Sequence, residues 1–208
     1  MIKQATNAIK TIAKSISKNP SSMRYIPKYI YSMLRSPLSM QIPWIPFSAI
    51  GWLEKKITPD SVIFEYGSGG SSIFYAKRAK RVYSVEHEKK WFNMIEKVLE
   101  ENNLSNTNIS YIPKDSKEDD YKKSFDQYAS SIQKVPEKFD IVIVDGRNRV
   151  ECIKRALPQV KKGGYLILDN SYRKRYNEAF KLLKQYKKIH FFGMTPHLTT
   201  PSKTTAFK

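Results

Sequence analysis

One carboxylate, three glycines and three serines fall within eight residues in Glu65-Tyr66-Gly67-Ser68-Gly69-Gly70-Ser71-Ser72. Glycines in such a run let the backbone turn tightly and approach a ligand closely, and a helix beginning there favours the ligand's polar or anionic groups. The dinucleotide fingerprint Gly-x-Gly-x-x-Gly is not met, because the third glycine falls at position 70 and not at 72. Glu65, two residues before the first glycine, suits a cationic or amine-bearing ligand better than a pyrophosphate. Glu86 follows Gly67 by 19 residues, the distance at which an acid closing the next strand accepts both hydroxyls of a ribose. His87 comes directly after it, at the turn. Asp115 either meets an adenine amino group or simply closes a turn.

A second group lies further along. Asp145 follows Ile-Val-Ile-Val and the pair Asp169-Asn170 follows Tyr-Leu-Ile-Leu, so all three polar side chains are expected in one crevice above a sheet. Two carboxylates and an amide oxygen form a hard-oxygen set suited to Mg²⁺ or Ca²⁺; the alternative is a metal-free pocket lined by hydrogen-bonding groups. Arg147 and Arg149 flank the same mouth and either grip an anionic group on a substrate or pair locally. His197, in a late loop, is a candidate to take a hydroxyl proton near neutral pH. Trp44, Phe47 and Trp52 either wall a pocket or pack into the core.

Positioning these residues requires strands that end where the polar groups begin. Strands are expected over 61–66, 81–86, 108–112, 139–144 and 165–168, with helices over 71–80, 89–102, 150–157 and 175–186 between or after them. This alternation predicts a doubly wound, mostly parallel Rossmann-like α/β sheet, closed by an antiparallel pair over 189–192 and 204–207. The polar stretch 115–137 reads as an excursion or a helix. Ahead of the sheet, residues 1–43 form a basic extension: Ile2, Ala5, Ile9, Ile12 and Ile16 line one face of a helix that ends at Asn19-Pro20, and a Pro- and aromatic-rich connector follows. A short helix is expected from 46 to 56.

Glu-x-Gly-x-Gly-Gly, the acid closing the second strand and the later Val-Asp-Gly together resemble the class I S-adenosylmethionine-dependent methyltransferases, over about residues 44–207. The resemblance implies that Glu65, Gly67, Ser68, Gly69 and Gly70 cradle the methionine and ribose of S-adenosylmethionine, and that Glu86, with His87 beside it, holds the ribose. Asp115 then lies near the adenine and Asp145 borders the cofactor. The set Asp145, Asp169 and Asn170 is similar to that of the metal-dependent catechol and caffeoyl-coenzyme A O-methyltransferases. It implies a divalent metal on Asp145, Asp169 and Asn170, with Asp145 and Asp169 catalytic; read from the residues themselves, His197 is the further catalytic candidate and Arg147 and Trp44 face the acceptor. The chain departs from that pattern at Asn148, where those enzymes often carry a lysine.

The implied activity is transfer of a methyl group to a small-molecule or glycan hydroxyl. RNA methylation is the alternative within the class; a non-catalytic membrane-surface protein retaining the fold is the alternative outside it. The 208 residues suit one domain with a short appendage, and 37 Lys and Arg against 19 Asp and Glu leave a net charge of +18. Such charge points to an anionic partner, or reflects a Lys- and Ile-rich compositional bias. Against nucleic acid, no Asp/Asn-Pro-Pro-aromatic tetrapeptide and no cysteine motif of the carbon-methylating enzymes is present. The sole cysteine, Cys152, excludes an internal disulfide. No apolar run approaches the roughly 18 residues of a membrane span. A cytoplasmic place is expected, with the amphipathic helix either packed on its own domain or a dimer partner, or lying on the inner membrane surface.

Overall fold

The computed structural model describes residues 2–115 and 123–208. Seven strands, β1 (Val62–Tyr66), β2 (Arg81–Glu86), β3 (Thr107–Tyr111), β4 (Phe139–Val144), β5 (Val160–Leu168), β6 (Lys188–Gly193) and β7 (Ser202–Phe207), form one sheet in the order β3-β2-β1-β4-β5-β7-β6. The first five pair in parallel, and β7 enters antiparallel between β5 and β6. The strand order reverses direction between β1 and β4, the switch point at which loops diverge and leave a crevice.

The helices in chain order are α1 (Ile2–Lys18), α2 (Ile26–Ser32), α3 (Pro37–Met40), α4 (Phe47–Lys56), α5 (Gly70–Ala76), α6 (Lys89–Glu101), α7 (Asp126–Ser130), α8 (Arg149–Ala156) and α9 (Asn177–Leu182). They cover both faces. Because strand side chains alternate, Ile63, Val82, Ile141, Ile143 and Ile167 pack on one side with Leu53 of α4, Ile73 of α5 and Ile95 of α6. Phe64, Tyr66, Val142, Val144 and Leu168 pack on the other with Tyr128 of α7, Ile153 of α8 and Ala179 of α9. β1 is buried on both faces, which explains its run of apolar residues and makes the carboxylate of Glu65 conspicuous.

The extension shares the core: Tyr29 belongs to the same apolar cluster as the α4 side of the sheet, with Ala8 and Ile12 packed against it. Helix α1 packs on β6, close enough that the side chain of Ser15 lies against Gly193. Within the stretch expected as an excursion or helix, residues 116–122 lie outside the described residues. The remainder holds α7 between two short 3₁₀ turns. β5 begins five residues earlier than expected, with a register irregularity opposite Phe139.

Candidate functional site

Three backbone bonds carry the parallel ladder one residue past the strand ends: Gly67 N to Val85 O at 2.9 Å, Asp145 N to Tyr66 O at 3.1 Å and Asp169 N to Val144 O at 3.2 Å. The loops after β1, β4 and β5 therefore start side by side. Gly67, at φ +95°, faces Gly146 so closely that a Cβ on it would lie 3.1 Å from the Gly146 Cα. A Cβ on Gly146 would fall 1.9 Å from the Tyr128 hydroxyl. Gly69 keeps more room: its nearest neighbours are the Ser71 hydroxyl at 3.7 Å and the Trp91 ring at 3.9 Å. Trp91 pins the loop by donating Nε1–H to Ser68 O at 2.7 Å, and Gly70 opens α5.

Glu65 sits opposite Ser84 in the β1–β2 register, and both point toward α5. Its carboxylate is 1% exposed and accepts hydrogen bonds from the hydroxyls of Ser71, Ser72 and Ser84. Burial pushes its pKa up to about 7, even though the serine hydroxyls favour the ionised form. Glu86, at the end of β2, has the opposite balance. Burial acts to raise its pKa, but the hydrogen bonds outweigh that and hold it below the ordinary value. Oε1 accepts from the backbone N–H groups of His87 and Glu88 at 2.8 and 2.9 Å, and Oε2 from the N–H and hydroxyl of Ser68 at 3.1 and 3.2 Å.

The His87 ring joins this group. Arg147 donates Nε–H to His87 Nε2 at 2.8 Å, and the ring's Nδ1 lies 2.7 Å from Glu86 Oε1. Arg147, expected toward the acceptor, thus reaches back across the mouth to the turn after β2. Asp115 closes its loop: its N–H donates to Ser124 O and its Oδ2 accepts from Gln127 N at 2.9 Å.

Arg149 carries a role that the sequence reading left open. Its buried guanidinium donates to the carbonyls of Gly146, Asp169 and Asp145 at 3.0, 2.7 and 2.7 Å. It also lies 2.7 Å from the Asp145 carboxylate and 3.7 Å from that of Asp169. Asp169 is otherwise held by the Thr204 hydroxyl at 2.6 Å. The expected divalent-metal set does not fit these residues. Arg149 already supplies a positive charge to both carboxylates. Among the described residues no three His, Cys, Asp or Glu side chains gather to hold a metal ion. Asp145 remains accessible, its side chain 31% exposed. Desolvation and the Asp169 charge raise its pKa well above the ordinary carboxylate range, against the pull of Arg149.

Tyr75 of α5 was missed. Its hydroxyl is fully buried without a hydrogen-bond partner, and after burial it is the charges of Glu65, Asp145 and Asp169 that raise its pKa. A buried hydroxyl orphaned beside carboxylates fits a polar ligand that would complete it. With the glycine approach and the Glu86 carboxylate, these residues fit a ligand bearing an amine and vicinal hydroxyls.

His197 lies in the β6–β7 loop, at φ 59°, on the edge of the sheet that carries Asp169. Its neighbours come from the extension: its N–H donates to the Ser32 hydroxyl, and its ring meets Trp44 edge-on at 5.9 Å. Trp44 in turn donates to Pro196 O. Burial lowers the His197 pKa, so the imidazole is neutral at pH 7. Trp52 and Phe47 pack in the core around α4.

No protein-family model and no curated protein matches the sequence. Solved structures do match. A methyltransferase-like protein from Silicibacter pomeroyi is 23% identical, with a TM-score of 0.61 over 80% of this chain and 87% of that one. A putative methyltransferase from Streptococcus mutans in complex with SAH is 16% identical, with a TM-score of 0.59 over 80% and 99%. An rRNA methylase from Streptococcus thermophilus is 14% identical, with a TM-score of 0.58 over 85% and 98%. The chain has the Rossmann-like fold of these methyltransferases.

Proposed function

We propose that this chain binds S-adenosylmethionine and transfers its methyl group to a hydroxyl of a small-molecule or glycan acceptor. The observation that carries the reading is Glu86 at the carboxyl end of β2, facing the Gly67–Gly69 loop across the first pair of strands at the switch point. Bound S-adenosylmethionine supplies an activated methyl on sulfur, so the protein has to align the acceptor and accept a proton.

Glu86 is suited to hold ribose hydroxyls. The backbone N–H groups that it accepts keep it ionised, while the Ser68 hydroxyl and the His87 ring are partners that a ligand can replace. Tyr75 and Glu65 lie under the loop as hydrogen-bonding groups for the amine-bearing end. Asp145 is the group we assign to the acceptor proton: its carboxylate is partly exposed beside the glycine pair, and Arg149 lies 2.7 Å away to favour its ionised form. Arg149 stabilises the charge that remains on Asp145 and Asp169. No step is assigned to a metal ion.

Methyl transfer from S-adenosylmethionine to sugars, phenols and RNA, measured side by side, tests the reading. Transfer to a hydroxylated small molecule that Asp145→Asn reduces by at least about 100-fold supports it. Transfer to RNA alone moves the acceptor to nucleic acid, an outcome in keeping with the +18 charge and with the rRNA methylase among the structural neighbours.

A further inference from the structure

Helix α1 has more apolar surface than its own domain covers. The face that it buries on β6 is centred on Thr11 and Ser15, with Ala8 and Ile12 partly covered. At 100° per residue the apolar arc runs from Ala8 through Ile12, Ala5, Ile16 and Ile9 to Ala13, so its centre is turned away from the buried face. Ile9 is consequently 66% exposed. The same holds beyond the helix, where Ile30 and Leu34 are 55% and 80% exposed and Met23 and Tyr31 are also open. Aliphatic groups exposed to this degree in one short segment mark an interaction surface.

The charge around them has a single sign. Lys3, Lys10, Lys14, Lys18, Arg24, Lys28 and Arg35 are all exposed, and the first acidic residue of the chain is Glu54. A second copy docking through the extension would set cations against cations. Nucleic acid would answer the charge but leave the aliphatic side chains without an apolar partner. An anionic bilayer answers both: headgroups meet the lysines, and the acyl boundary receives Ile9, Ile30 and Leu34.

We propose that the extension docks this protein peripherally on an anionic lipid surface. The same segment holds the β6–β7 loop, through Thr11 Oγ1–H to Thr199 O at 2.7 Å and Tyr29 Oη–H to Leu198 O at 2.8 Å. The proposal does not depend on methyl transfer.

Co-sedimentation of the full chain with phosphatidylglycerol-containing and pure phosphatidylcholine vesicles tests it, with a structured RNA as the competing ligand. The expected result is binding to the anionic vesicles that falls with salt and is lost by about tenfold or more in both Ile9→Ser/Ile30→Ser/Leu34→Ser and Lys10→Glu/Lys28→Glu, with melting temperatures unchanged. No binding to anionic vesicles overturns the proposal. So does binding that the aliphatic variant leaves intact, or a concentration-dependent dimer or RNA complex that the vesicles do not displace. None of these results bears on cofactor binding, which is measured separately with SAH.

Discussion

Glu65 and Glu86 are carboxylates on neighbouring strands with opposite electrostatics, and each difference has a measurable consequence. For Glu65 the folded-state pKa of about 7 lies above its ordinary value of 4.5, so folding favours the protonated form. The stabilisation is fully present below pH 4.5 and is lost as pH rises through 7, a span of roughly 3 kcal/mol. Glu65→Gln should therefore gain stability over the parent between pH 5 and 8 in denaturant titrations; parallel curves would show that the serines keep the carboxylate ionised throughout. For Glu86, Glu86→Gln retains an acceptor but removes the charge that strengthens hydrogen bonds to ribose, and calorimetry should show SAH binding weakened about tenfold. Both acids were legible from position alone, one before a glycine run and one 19 residues after its first glycine. Tyr75 was not, because Ile73, Phe74, Tyr75 and Ala76 are all buried and periodicity marks no side of α5 as facing the site.

Two contacts between elements hold the mouth in shape. Arg149, at the first position of α8, ties the loop after β4 to the loop after β5. Arg149→Met leaves two carboxylates without their cation, and we expect a loss of about 3–5 kcal/mol in chemical unfolding, with Arg149→Lys intermediate because it lacks the planar fork. A loss below about 1 kcal/mol would mean that the carboxylates are neutral without it. The loop after β4 is also fixed from α7: Gly146→Ala drives a methyl into the Tyr128 hydroxyl and should cost about 1–3 kcal/mol, of which Tyr128→Phe in the same chain recovers a part. The i,i+4 spacing of Asp145 and Arg149 was visible in the sequence as local pairing. That one guanidinium also reaches Asp169 depends on the pairing of β4 with β5, which no local pattern records.

At the scale of the whole molecule, the alternation of strand and helix signals predicted the parallel class, and apolar runs marked β1 and β4, which are buried on both faces. The extension was legible as an amphipathic helix, but its buried face was not: close approach to Gly193 selects the small Ser15, and the bond to Thr199 O selects Thr11, over the larger isoleucines. The metal set read from Asp145, Asp169 and Asn170 left Arg149 out of account, although its guanidinium lies 2.7 Å from one carboxylate and 3.7 Å from the other. The central claim is that the loops at the switch point form a site for S-adenosylmethionine. Titration calorimetry of the wild-type chain with SAH tests it most directly. The account predicts saturable binding of one SAH per chain, weakened in Glu86→Gln. Absence of binding at millimolar SAH, in protein whose melting transition shows it to be folded, would contradict it.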